Sequence, residues 1–369
     1  MSSVYRRLPR PFVAMAPMKG ITDTVFRRML CEIAKPDLLY TEFAWAEGLC
    51  SPKPTRFKQQ LEFHTTEHPI VAQLWGRSPA AFERAAAFAC RLGFDGIDIN
   101  MGCAVRKILK RGTGAGLIAT PKAAAEIIAA VRSGAPDLPV SVKTRLGMNE
   151  VSVEHWCGFL LEQRLDALCV HARTAAQGYG GSADWNAINA VIALRNRISP
   201  DTVVIGNGDL SSTDHALSLH ARHPVDGFMI GRAVLLDPYV LQRRDSAVRR
   251  DRASAHAVSP ARCISLFREH VALHRRIWGK RRHAGVLKRF VAVYLAGIPE
   301  YTQLRRRLLR SETHAEMLAV LSTAAAKARQ DRPAHADLRM HETNSPLESQ
   351  SFHVLEPSHK EKTDECRVG

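Results

Sequence analysis

Gly96-Ile97-Asp98-Ile99-Asn100-Met101-Gly102-Cys103 is a short apolar strand pattern that ends in an amide, a glycine and a thiol, and the glycine-rich run Gly112-Thr113-Gly114-Ala115-Gly116 follows soon after. Reactive groups delivered to the carboxyl end of a strand are what an α/β barrel uses to build a site. A thiol at that place can act as an acid or a nucleophile. Free cysteine is also among the most buried residue types, and the chain has seven others. A packing role for Cys103 is therefore the alternative that its position and neighbours have to displace.

Outward from this stretch, apolar β-like runs alternate with helical patterns. The strand candidates are Phe12–Met18, Leu38–Phe43, Ile70–Trp75, Gly96–Met101, Val140–Leu146, Ala167–Arg173, Val203–Asn207 and Gly227–Gly231. Eight is the number that closes a parallel barrel. Helical stretches such as Pro79–Leu92, Pro121–Ser133 and Val153–Gln163 lie between them, with Ala, Leu and Glu favouring helix. The second-to-third connection is the least regular and contains the basic, proline-bearing segment Ser51–Gln60, an insertion expected on the loop side.

The chain has 369 residues, enough for one barrel of about 250 residues with an appendage. The pattern predicts a (β/α)8 TIM barrel over 1–250, a small all-α helical domain over 251–325 and a disordered tail over 326–369. From about Ala253 to Leu321 the composition becomes helical and basic. Between residues 275 and 310, Arg275, Arg276, Lys280, Arg281, Arg282, Lys288, Arg289, Arg305, Arg306, Arg307 and Arg310 meet one acid, Glu300. A solvated helix face normally mixes both signs. Trp278, Phe290, Tyr294 and Tyr301 read as core residues rather than base-stacking groups. After Ala326 the apolar periodicity stops and the chain turns to Ser, Glu, His and Pro.

Net charge is +16. The tail from Asp331 holds eight acids against five bases, which leaves +19 on the preceding 330 residues. Enzymes of small metabolites rarely need such a field, whereas a polyanion is steered by it, so nucleic acid leads the partner classes. No apolar run approaches the ~20 residues that cross a bilayer, and no apolar stretch follows Arg6, Arg7 and Arg10 to make a secretory signal. The eight cysteines form no CxxC pair and have no zinc-type histidine spacing, so we expect reduced thiols, no metal and a cytoplasmic monomer.

The strand ends carry the chemistry. Ala16-Pro17-Met18-Lys19-Gly20 can press backbone against a flat ligand, and Gln73 can pair with a heterocycle edge or serve as a buried structural amide. Lys143 and Arg145 share a side by the two-residue period, and cations on an apolar strand need an anion or a polarised ring. His171 and Arg173 repeat the arrangement, with Gln177-Gly178-Tyr179 in the loop beyond. Gly206-Asn207-Gly208-Asp209 and Gly231-Arg232 end the last two strands, the usual phosphate site of a barrel. A phosphate, an amide, a lysine and a histidine around one mouth suit flavin mononucleotide or another phosphate-bearing ligand.

Over roughly Phe12 to Leu321 the chain resembles the tRNA-dihydrouridine synthases. The matching motifs are Ala16-Pro17-Met18, Thr41-Glu42, Gln73-Leu74-Trp75-Gly76, Asn100-Met101-Gly102-Cys103, Lys143-Thr144-Arg145-Leu146-Gly147, His171-Ala172-Arg173-Thr174, Asn207-Gly208-Asp209 and Gly231-Arg232. The resemblance implies an FMN-bound barrel with a helical RNA-binding domain, reducing selected uridines in tRNA with NADPH. It assigns Cys103 as the acid that protonates C5 while hydride enters at C6. It assigns Pro17, Met18, Lys19, Gln73, Lys143, His171, Asn207, Gly208, Asp209, Gly231 and Arg232 to the flavin, and Asn100, Arg145 and Tyr179 to the uracil. Within the basic segment, Arg281, Arg282, Lys288 and Arg289 are close enough to share one or two helical faces and grip tRNA phosphates.

The chain departs from the family pattern twice. Ala104 follows the cysteine where proline is usual, which frees φ and restores an N–H. Lys19 stands where an acidic or small polar residue is common. Two rival readings remain: a flavin barrel acting on a free pyrimidine or small enone, and a tRNA-binding protein whose turnover Ala104 impairs.

Overall fold

The computed structural model describes residues 3–243, 260–295, 298 and 301–330. Among the described residues nine strands form one sheet: β1 Phe12–Met15, β2 Leu39–Tyr40, β3 Ala44–Trp45, β4 Ile70–Trp75, β5 Gly96–Met101, β6 Val140–Arg145, β7 Ala167–His171, β8 Val203–Asn207 and β9 Gly227–Ile230. Every pairing is parallel, in the order β1-β9-β8-β7-β6-β5-β4-β2, with β3 an extra short strand against the end of β4. A bridge between Ala14 and Leu38 brings β1 to β2 and closes the ring. All eight expected strands are present. Those expected to reach Met18, Phe43, Leu146, Arg173 and Gly231 end earlier, because their last residues turn into the loops that carry the polar groups.

The pleat divides the apolar residues between two cores. Phe12, Ala14, Tyr40, Val71, Cys169, Ile205 and Met229 fill the barrel interior, where Tyr5 of the helix Val4–Arg7 joins them. Val13, Met15, Ala72, Ile97, Ile99, Val142 and Val204 pack outward against the helices. The helix Pro79–Leu92 starts on a Ser78 cap with proline in its first turn and stops at Gly93, whose φ is +84°, a conformation that favours glycine. Over Val153–Gln163 the chain forms a π-turn, Val153–Cys157, and then the short helix Gly158–Glu162.

After the barrel come the helices Pro260–Trp278, Val291–Leu295, Tyr301–Arg310 and His314–Gln330. The first of them packs on the helix Thr24–Ala34, where the Phe26 ring lies 6.0 Å from that of His270 and 5.0 Å from that of Phe290. Trp278, Phe290 and Tyr294 are buried, as expected of core residues, and Tyr301 is half-buried. The final helix passes residue 326 because Ala324, Ala325 and Ala326 sustain it after the apolar periodicity fades. The rest of the expected tail, 331–369, lies outside the described residues, as does the 251–259 start of the expected helical domain.

Candidate active site

Parallel register carries one polar residue from each of several strands to the carboxyl rim. Asn100 pairs with Lys143, Arg145 with His171, and His171 with Asn207. Gln73 and Asp98 are paired one step deeper. The sequence thus brings Gln73, Asn100, Lys143, Arg145, His171 and Asn207 around one mouth, with Cys103 just beyond β5.

A buried hydrogen-bond chain rises to the thiol through the barrel. Tyr5 OH donates to Ser141 Oγ at 2.7 Å, and Ser141 Oγ donates to Asp98 Oδ1 at 2.5 Å. Gln73 Nε2 donates to Asp98 Oδ2 at 2.7 Å, and Gln73 Oε1 accepts from Asn100 Nδ2 at 3.0 Å. Asn100 Oδ1 then accepts the N–H groups of Gly102 and Cys103 at 3.2 and 3.0 Å. Because a carboxylate only accepts, Asp98 fixes which end of the Gln73 amide points to Asn100. Burial pushes the Asp98 carboxyl up to about 6. Asp98, Ser141 and Tyr5 escaped the sequence reading. The available signal was a carboxylate two positions before Asn100, on the same inward face.

Cys103 is half-buried. Burial raises its pKa, against the opposing pull of the Val105 N–H and of Arg145 and Lys143, so the thiol is protonated at neutral pH. Its carbonyl accepts the Ala115 N–H at 3.0 Å. Gly114, with φ +58°, lies where a Cβ would come 2.8 Å from that carbonyl. This close approach explains the glycine-rich run.

Arg145 is committed to backbone. Its Nε donates to Gly102 O at 2.8 Å, and Nη1 donates to Thr174 O and Gly178 O at 2.9 and 2.8 Å, tying the thiol loop to the loop of Tyr179. Tyr179 is 60% exposed and lies under Arg232, 4.4 Å from its ring centre. Lys143 Nζ donates to Asn207 Oδ1 at 3.0 Å, and Asn207 Nδ2 donates to Met229 O at 2.7 Å. Burial lowers the Lys143 pKa. His171 is pushed down to about 2 by burial and by Lys143, Arg145, Arg173 and Arg232, so it stays neutral.

At the last two strands, Arg173 forks onto Asp209 at 2.9 and 2.7 Å and also holds the carbonyls of Gly180 and Gly181. Burial opposes ionisation of Asp209, but Arg173 and the Ala183 N–H hold its pKa below the usual range. Arg232 Nη2 is 3.7 Å from the same carboxylate. Gly208 has φ +138°, a conformation suited to glycine. A Cβ on Gly231 would meet only Ala16, at 3.6 Å, so packing does not demand a glycine there. In the β1 loop, Met18 N–H donates to Thr22 Oγ1 at 2.9 Å, Lys19 Nζ lies 5.5 Å over the Phe43 ring, and Gly20 N–H donates to Glu42 Oε1 at 2.5 Å. Pro17 precedes them at the strand end.

The four cations expected to grip RNA do not share a helical face. Arg281 donates to Glu62 at 2.7 Å, and Arg282 donates to Asp23 at 3.0 Å and Glu42 at 3.5 Å. Lys288 reaches Glu312 at 3.4 Å, and Arg289 Nη1 donates to Gly20 O at 2.5 Å. Three of them, Arg281, Arg282 and Arg289, fasten the helical segment to the barrel, and Trp278 Nε1 adds a bond to Asp23 at 3.1 Å.

The Dihydrouridine synthase family model matches residues 14–330. A probable tRNA-dihydrouridine synthase of Staphylococcus aureus strain Mu50 is 36% identical over 330 residues, covering 89% of this chain and 97% of the relative. Probable tRNA-dihydrouridine synthase 2 of Bacillus subtilis strain 168 is 36% identical over 320 residues, covering 86% and 95%. With the match running from the first barrel strand to the last described helix, the chain belongs to the dihydrouridine synthase family.

Proposed function

We propose that this enzyme reduces the C5=C6 bond of selected uridines in tRNA, with FMN as its cofactor and NADPH as reductant. The observation that carries the reading is the Cys103 thiol, fixed through its backbone by Asn100, beside a mouth lined by Lys143, His171 and Asn207. The donor set fits FMN. Gly231 is open although packing does not require it, as an approaching phosphate would need, and Lys143 is a desolvated cation beside the amide of Asn207. Pro17, Met18, Lys19, Gln73, Lys143, His171, Asn207, Gly208, Gly231 and Arg232 would hold the group. Asp209 would serve indirectly by orienting Arg173 and Arg232, since a carboxylate repels phosphate.

What FMN supplies when bound is the hydride for C6, replenished from NADPH. Cys103 Sγ–H gives its proton to C5, and its raised pKa keeps that proton in place at neutral pH. Asn100 and Arg145 hold the thiol loop from both sides, and Tyr179 offers an exposed ring against which an unstacked base can lie. Neutral His171 adds a hydrogen-bonding group without adding charge to the four cations around it. The basic exterior supplies the binding that drawing a base from its stack requires. Among the described residues no single helix is long and apolar enough to cross a membrane, and we propose a cytoplasmic monomer.

The test is dihydrouridine formation on unmodified tRNA with NADPH. Cys103→Ala should retain the flavin and its reduction by NADPH while product formation falls by about 10²–10⁴-fold, the range of a lost acid catalyst. Full product formation in the variant would remove Cys103 from its role. Turnover of free uracil at the rate of tRNA would favour a small-molecule reductase.

A further inference from the structure

The excursion that follows Cys103 carries four cations in six consecutive positions, Arg106, Lys107, Lys110 and Arg111, and all four are exposed. None of these side chains forms an ion pair or hydrogen bond among the described residues, whereas Arg281, Arg282, Lys288 and Arg289 each have a carboxylate or carbonyl partner. Arg106 and Lys110 are four residues apart, as are Lys107 and Arg111, across the single turn Arg106–Leu109. Like charges at that spacing destabilise the turn, so the fold itself gains nothing from them. Val105, in the same excursion, is 58% exposed.

The excursion is nonetheless built firmly. Gly112 N–H donates to Leu109 O at 2.9 Å, Thr113 Oγ1 donates to Ile108 O at 3.0 Å, and Ala115 N–H closes the base onto Cys103 O. Four unneutralised cations are thus held on a braced pad whose root is the reactive thiol. An RNA strand that delivers a base to the thiol has to carry its neighbouring phosphates past this pad.

We propose that Arg106, Lys107, Lys110 and Arg111 grip the RNA phosphodiester backbone on either side of the reacting uridine. The proposal rests on the tRNA reading given above and makes the thiol loop a contact surface in its own right. Each cation that meets a phosphate releases condensed counterions, so its loss lowers the salt dependence of binding as well as the affinity.

The experiment measures binding of unmodified tRNA against salt for the wild-type flavoprotein and for R106Q/K107Q/K110Q/R111Q, with flavin content as the check on folding. The slope of log affinity against log salt should drop by about 0.7–0.9 per lost contact, and affinity at 0.1 M salt should fall about 10²–10³-fold. R106K/R111K should keep the wild-type slope, and Arg106→Gln or Arg111→Gln alone should each lower it by about 0.7–0.9. Equal slopes and affinities in wild type and quadruple variant would overturn the assignment while leaving the tRNA reading intact. A raised KM for NADPH with unchanged tRNA binding would also overturn it, giving the pad to the phosphates of the reductant. Failure of the wild type itself to bind tRNA would overturn both readings.

Discussion

The barrel mouth and the stretch 281–289 are both rich in cationic groups, but the stretch answers all four of its Lys and Arg side chains, whereas the mouth answers Arg173 and Arg232 with Asp209 and leaves others open. Within that stretch Arg281 and Arg282 are answered by Glu62, Asp23 and Glu42 of the barrel, and Lys288 by Glu312. Around the mouth, Lys143 and His171 sit away from their ordinary protonation behaviour without a neutralising carboxylate in contact, and Arg106, Lys107, Lys110 and Arg111 have no partner among the described residues. Charge that the fold neutralises is doing structural work; charge that it leaves open is where an outside anion belongs. Counting Lys and Arg along a sequence cannot separate the two.

The strongest way to break this contrast is at Gly231. If the mouth is shaped for an incoming phosphate, Gly231→Val should fold, because its Cβ meets nothing closer than 3.6 Å, yet purify almost without flavin. A full complement of flavin, read from the visible spectrum, would mean that the opening beside Gly231 serves no anion.

Next in size is Arg282→Ala. It leaves the carboxylates of Asp23 and Glu42, only 8% and 2% exposed, without their cation. We expect a loss of about 3 kcal/mol in unfolding free energy, the range for breaking a buried pair. Lys288→Ala removes a surface pair whose Glu312 side chain is 70% exposed and should cost under about 1 kcal/mol. Equal losses in denaturant titrations of the two variants would erase the distinction between cations that fasten the segment and cations that decorate it.

A pH titration sharpens the same point between those magnitudes. Burial holds His270 down to about 3, with its Nδ1 3.1 Å from Tyr294 OH. As pH falls below the ordinary histidine value of ~6.5, the unfolded chain binds the proton first, so stability falls with pH. Between pH 7 and pH 5 this one group should remove about 2 kcal/mol. Denaturant midpoints at the two pH values for wild type and His270→Gln check this, with the variant showing the smaller drop.

The barrel was legible because its signals are local. Period-two alternation and the polar or glycine cluster at each strand end placed eight strands, and parity alone put Lys143 with Arg145 on a shared face. The small strand Ala44–Trp45 was missed because two residues carry no period. What was not legible depends on partners far away in the chain: Arg282 meets Asp23 from 259 positions away, and Tyr5 meets Ser141 from 136. The expectation that four cations share one or two helical faces treated the basic segment by itself, whereas Arg281 and Arg282 are placed by barrel carboxylates, Arg289 by a loop carbonyl and Lys288 by Glu312.

These separations also bear on how the chain is made. β1 pairs with β9, Tyr5 waits for Ser141, and Asp23 waits for Trp278 and Arg282. The segment that holds Tyr5, β1 and Asp23 therefore leaves the ribosome long before its partners exist. On the β9 side its strand stays unpaired through most of translation, and non-local closure of this kind is slow and exposed to aggregation. The same residues that complete the barrel last are those a nascent chain most needs to have shielded.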